Sequence, residues 1–143
     1  MNILFTRGNS ILSRAIRSAT GEDCSHVLIE FEPGLVIHSN LLGIHINTLE
    51  HLRNGGLEVV HTVEVPPVEG MTEVLTKYEG KSYDLLALLW LGIQALIPFR
   101  KNNQWANKSK FTCTEFVTEV LFGEQDSVIT PFQLYVKLIK EFH

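Results

Sequence analysis

Two residue types in this chain have the makings of covalent chemistry: a thiol at the start of a helix and two imidazoles on one hairpin. In Phe111-Thr112-Cys113-Thr114-Glu115-Phe116-Val117, Thr112 followed by Glu115 reads as a capping box. Thr112 is then the N-cap and Cys113 the first helical residue. Free backbone N–H groups and the positive end of the helix dipole lie beside such a sulfur. That setting favours thiolate and lowers a cysteine pKa from its usual ~8.5. The same N–H groups are suited to a developing oxyanion. Cys113, Phe116, Val117, Val120 and Leu121 recur at helical spacing, so the sulfur tops a buried stripe. The plain alternative is an ordinary core cysteine.

The imidazoles are His26, in Ser25-His26-Val27-Leu28-Ile29, and His38, in Val36-Ile37-His38-Ser39. Two apolar runs, Val27 to Phe31 and Leu35 to Ser39, flank Glu32-Pro33-Gly34 and predict a hairpin. Side chains alternate along a strand, so loop length decides which face each histidine takes. A three-residue loop pairs Phe31 with Leu35, Leu28 with His38 and His26 with Asn40. The histidines then become diagonal neighbours on one face, roughly 7–8 Å apart at the backbone. A loop of two or four residues would separate them. On one face, one imidazole can take the thiol proton while the second orients the first. The plain alternative makes one a core residue and leaves the other solvated. His45, His51, His61 and His143 read as surface or loop residues. Cys24 reads as an ordinary loop or strand residue, with a competing nucleophile or a redox partner of Cys113 as its other uses.

Rival chemistries find less support. There is no HExxH, no CxxC pair and no further ligand at useful spacing from Cys24-Ser25-His26, so no metal is expected. No G-x-S-x-G elbow and no phosphate loop appear.

The remaining elements must hold these groups. Ile3 to Thr6 reads as a strand, Ser10 to Ser18 as a helix, and Leu57 to Val65 as a further strand ended by Pro66-Pro67. Met71, Val74, Leu75 and Tyr78 share a helical face. Asp84 caps an apolar helix from Leu85 to Ile97, while Pro98 to Lys110 is polar and irregular. Thr112 to Phe122 and Pro131 to Phe142 close the chain as helices. Strands early and helices late predict an α+β fold in a single domain, 1–143.

The 143 residues suffice for one sizeable core. Hydrophobic residues make up 45% and charged residues 20%, which excludes a disordered chain. A net charge of −4 with no basic stripe argues against nucleic-acid binding. The start lacks the pattern of a signal peptide. The apolar run from Leu85 covers about 13 residues, short of the roughly 20 that a membrane helix needs. Stable membrane insertion is therefore not expected, and the expected location is cytoplasmic, or a host cell if the chain is of phage origin. With only two cysteines and no export signal, no disulfide is expected.

An early histidine, a second polar residue on the next strand and a late cysteine opening a helix resemble the circularly permuted papain-like superfamily. That group includes the lecithin:retinol acyltransferase group and bacterial and phage relatives of the NlpC-type cell-wall peptidases. Phe5-Thr6-Arg7-Gly8 with Ile11-Leu12-Ser13 resembles its opening strand and helix. Ser25-His26-Val27, Val36-Ile37-His38-Ser39 and Phe111 to Val117 resemble its histidine, third-residue and nucleophile segments. Gly80-Lys81-Ser82-Tyr83-Asp84 resembles its Gly-x-x-Tyr-Asp turn, and Thr130-Pro131-Phe132-Gln133-Leu134 its closing helix. The resemblance implies a small antiparallel sheet packed against helices, with the nucleophile at a helix N-terminus. It implies Cys113 as nucleophile, His26 as general base and His38 as the orienting residue. Glu30 is a fallback orienter, and Tyr83 and Thr112 border the site. Many bacterial relatives carry Glu at the third position, and His38 stands nearer the acyltransferase branch.

The expected activity is a cysteine hydrolase that cleaves amide bonds in peptides or peptidoglycan fragments through a thioester, with no cofactor. One alternative is a lipid acyl hydrolase or acyltransferase, favoured by His38 and the apolar Leu85–Ile97 run but weakened by the lack of an anchor after Phe142. The other is a catalytically inactive binding module on the same fold.

Overall fold

The computed structural model describes residues 1–40, 42–78, 82–83, 110–123 and 129–142. The expected helix from Leu85 to Ile97, its cap Asp84, the irregular stretch from Pro98, and His143 lie outside the described residues, as do Gly80 and Lys81.

β1 (Asn2–Arg7) leads into α1 (Ile11–Thr20). Ser10 caps that helix by accepting a hydrogen bond from Ser13 N–H, and Gly21 ends it with a left-handed φ of 71°. β2 (His26–Glu32), β3 (Leu35–Asn40) and β4 (Gly43–Thr48) follow as a meander. A short α2 (Leu49–Asn54), capped by Thr48, connects to β5 (Glu58–Glu64). Then come α3 (Met71–Tyr78), β6 (Ser82–Tyr83), β7 (Lys110–Phe111), α4 (Cys113–Phe122) and α5 (Pro131–Phe142). The main sheet runs β4-β3-β2-β1-β5 with every neighbour antiparallel, while β6 and β7 form a separate parallel pair. The architecture is α+β, as the order of patterns along the chain predicts.

β4 and α2 depart from the sequence expectation, which left residues 41–56 without structure. As a consequence, His45 lies on a half-buried strand and not on a loop. His61 is likewise half-buried on β5, stacked on Tyr135 with ring centroids 4.6 Å apart and paired with Asp23 at 3.1 Å.

The β2–β3 hairpin reaches the expected register by another route. Only Pro33 and Gly34 form its turn, with Gly34 at φ 79°. The pairing shifts between Glu30 and Glu32, so Phe31 is a bulge that supplies the extra residue. Leu28 therefore still faces His38. Phe31 does not pair with Leu35, because Glu32 takes that place. The β3–β4 pairing keeps one register from Leu35↔Thr48 to Asn40↔Gly43.

Alternation gives the main sheet two distinct faces. One carries Ile3, Phe5, Val27, Ile29, Ile37 and Ile44, packed with Cys113, Phe116 and Val117 of α4 and Leu134 and Leu138 of α5. The other carries Leu4, Leu28 and Val36, covered by Leu49 and Leu52 of α2 with Leu57 and Val59. α4 is buried nearly all round, Thr114, Glu115 and Thr118 included, so it is a central helix and not an amphipathic surface one.

Candidate active site

The hairpin register and the cap of α4 position the groups singled out by the sequence. His38 stands opposite Leu28, and His26 is the first residue of β2, two positions before Leu28 on the same face. The residue preceding His26 is pinned firmly. Ser25 N–H donates to Thr6 O at 2.9 Å, and Ser25 Oγ meets Ser13 Oγ of α1 at 2.6 Å. The two imidazoles then meet edge to face, with ring planes at 85°. His26 Nε2 lies 3.3 Å from His38 Nδ1. On its far side, His38 Nε2 lies 3.1 Å from the amide Nδ2 of Asn47 on β4. His26 Nδ1 has no hydrogen-bond partner among the described residues.

Cys113 opens α4 as its capping box predicts. Thr112 Oγ1 accepts from Glu115 N–H at 3.2 Å, and the Glu115 carboxylate accepts from Thr112 N–H at 2.9 Å. The sulfur comes from the thick core face of the sheet, whereas the imidazoles belong to the face of Leu4 and Leu28. The backbone of Val27, the residue after His26 in the chain, is among the groups that favour the Cys113 thiolate. Among the described residues, no hydrogen bond joins Sγ to either imidazole.

Electrostatics correct one expectation. A helix N-terminus alone would lower the thiol pKa, but burial pushes Cys113 up to about 11. Backbone hydrogen bonds from Val27, Thr114 and Cys113 itself pull the other way and do not win. Removing a thiolate from water costs more than those dipoles return. Burial also lowers His26 to about 3, with His38 adding repulsion, and lowers His38 to about 4, with His45 adding repulsion. With these shifts the Cys113 thiol and both imidazoles are neutral at neutral pH.

The other sequence candidates fall into place around this group. Glu30 makes no hydrogen bond to His26 among the described residues. Its carboxylate accepts from Asn2 Nδ2 at 2.8 Å and from Gly34 N–H at 3.0 Å, which clasps the turn end of the hairpin. Thr112 serves as the cap. Tyr83 lies in β6, paired with Phe111 just ahead of the Cys113 helix. Cys24 is fully buried, and its thiol is raised to about 12 by burial and by Asp23 and Glu22. Both cysteines are free. Asn47 was not anticipated. Its signal was the alternation of Ile44 and Ile46 with His45 and Asn47, which marks a strand with one apolar face.

A pocket of about 350 Å³ opens beside His26. Leu12 and Ile16 of α1 and Leu42 give it apolar walls, and Ser13, Ser25 and Asn40 add polar points. Cys113 is not among its lining residues. Among the described residues, no group of three or more His, Cys, Asp or Glu side chains stands ready to hold a metal ion, and no helix is long and apolar enough to cross a membrane. No protein-family model matches the chain, and no curated protein matches it significantly.

Proposed function

We propose that this chain is a cysteine hydrolase of permuted papain-like architecture that cleaves amide bonds in peptides or peptidoglycan-like substrates through a thioester. It would act in the cytoplasm, or in a host cell if of phage origin. One observation carries the reading. His26 spends Nε2 on His38, at 3.3 Å, and its Nδ1 has no hydrogen-bond partner among the described residues.

The chemistry starts from neutral partners. As the sulfur attacks a carbonyl carbon, its proton passes to His26 Nδ1, so charge develops only along the reaction path. The N–H groups of Cys113 and Thr114 at the head of α4 are the candidate donors to the oxyanion. His26 then gives the proton to the leaving amine as the C–N bond breaks. Water attacks the thioester in a second round and regenerates the thiol. His38 holds the His26 ring in place and disperses the transient charge.

A second reading, a lipid acyl hydrolase or acyltransferase, is favoured by the apolar walls of the pocket next to His26. A third, an inactive binding module, draws on the high thiol pKa and on the lack of a hydrogen bond between sulfur and imidazole.

The experiment is acyl trapping. Protein is mixed with a p-nitrophenyl ester and followed by intact mass and peptide mapping. A single acyl adduct on Cys113 is expected, absent in Cys113→Ser and formed about 10²–10⁴ times more slowly in His26→Ala. An unmodified wild type, or a rate indifferent to His26→Ala, overturns the enzyme reading. Parallel incubations with peptidoglycan fragments and phospholipid vesicles separate the first two readings by release of amines or of fatty acid.

A further inference from the structure

We propose that Asn47 is a positioning residue whose amide oxygen fixes the tautomer of the His26–His38 pair, leaving His26 Nδ1 bare to accept a proton. The choice of the oxygen-facing state rests on the hydrolase reading above, whereas the coupling of both ring tautomers to the amide stands on the geometry.

Three side chains form a line from β2 to β4, His26 Nε2 to His38 Nδ1 and His38 Nε2 to the Asn47 amide. A neutral imidazole carries one N–H and one lone pair, so a choice at one end propagates to the other. With the amide nitrogen toward His38, His38 Nε2 must accept. Its Nδ1–H then donates to His26 Nε2, and the remaining His26 proton sits on Nδ1. Such a ring cannot take a proton from a thiol. With the amide oxygen in the same place, every bond reverses. His38 Nε2–H donates to Asn47, His26 Nε2–H donates to His38 Nδ1, and His26 Nδ1 holds a lone pair.

A half-turn of the amide exchanges the two states without moving the backbone. Among the described residues, no hydrogen bond to Asn47 Oδ1 opposes that turn. The hydrolase reading selects between them, although the structure sets the amide nitrogen 3.1 Å from His38 Nε2. A bare Nδ1 can take a thiol proton, and an Nδ1–H cannot. His45, directly opposite His38 on β4, does not compete through its Nε2, which is buried without a partner among the described residues.

Nitrogen-detected NMR of the imidazoles in the full-length labelled chain near neutral pH tests the assignment, because protonated and bare ring nitrogens resonate far apart. The expected wild-type spectrum shows the proton on Nε2 of both His26 and His38. Asn47→Asp, which can only accept, should keep that pattern. Asn47→Leu, which neither donates nor accepts, should give mixed tautomers. Acylation of Cys113 should fall about tenfold in Asn47→Leu if roughly one molecule in ten stays productive, and should be kept in Asn47→Asp. A wild-type His26 protonated on Nδ1, or ring signals unchanged in Asn47→Leu, overturns the proposal. Spectra that follow the pattern with no acylation in any variant uphold the tautomer assignment and sink the hydrolase reading.

Discussion

The two faces of the main sheet divide the labour. The face toward α4 and α5 carries the large apolar cluster, with Phe116, Val117, Leu134 and Leu138 fully buried. The face toward α2 carries a small cluster of four buried residues, and beside it the histidines and Asn47. Stability thus resides mainly on one side and titratable polar chemistry on the other. Cys113 belongs to the first side by packing and to the second by the chemistry proposed for it. This division explains why the thiol is strongly desolvated. The thick core that anchors the helix also withdraws its first residue from water.

The division can be broken first on the thick side. Phe116→Ala removes a fully buried ring that meets Tyr78 edge to face with centroids 5.7 Å apart. The expected loss is about 3–5 kcal/mol in chemical denaturation, and Leu49→Ala in the thin cluster is expected to cost nearer to about 2 kcal/mol. Equal losses would show that the two faces share the stability evenly.

Acid probes the thin side. In the unfolded chain the histidines take up protons near pH 6.5, but in the fold His38 resists down to about 4 and His26 to about 3. The unfolded state therefore binds more protons between those limits, and stability falls as pH drops from about 6.5 toward 4. The melting temperature should follow that course, and His38→Gln should flatten it. A melting temperature unchanged between pH 7 and pH 4.5 would mean that the imidazoles are already open to water.

The smallest expected effect lies where the faces meet. Thr112→Ala removes the N-cap acceptor and should cost about 1 kcal/mol. Because the cap also fixes where Cys113 begins the helix, the same change should slow acyl trapping more than its stability cost accounts for. A variant that loses stability but keeps the full acylation rate would confine the cap to a folding role.

Much of this arrangement was legible in the sequence. The capping box from Thr112 to Glu115 located the helix start, and apolar patterning gave the outer helices and four strands. Leu28 was matched with His38 correctly, though the count that gave this assumed a longer loop and no bulge. What escaped was either short or environmental. α2 is too brief for a periodic signal, and β4 hides its alternation behind Leu41-Leu42-Gly43. Glu30 looked like a partner for His26, because a strand pattern tells which face a residue shares but not which backbone N–H will claim its carboxylate. The direction of the Cys113 shift was misjudged for a similar reason. A sequence shows the helix terminus beside the sulfur and does not show how much apolar material covers it.

The bulge at Phe31 gives the hairpin one residue in reserve. Shortening that tip by a single position can be absorbed by straightening β2, and Leu28 would still look across at His38. The connection from Asn40 to Gly43 holds no such slack, so adding or removing one residue there would swing Asn47 to the opposite side of the sheet. Length variation should accordingly be harmless at the first turn and ruinous at the second, even though the second lies farther along the chain from His26.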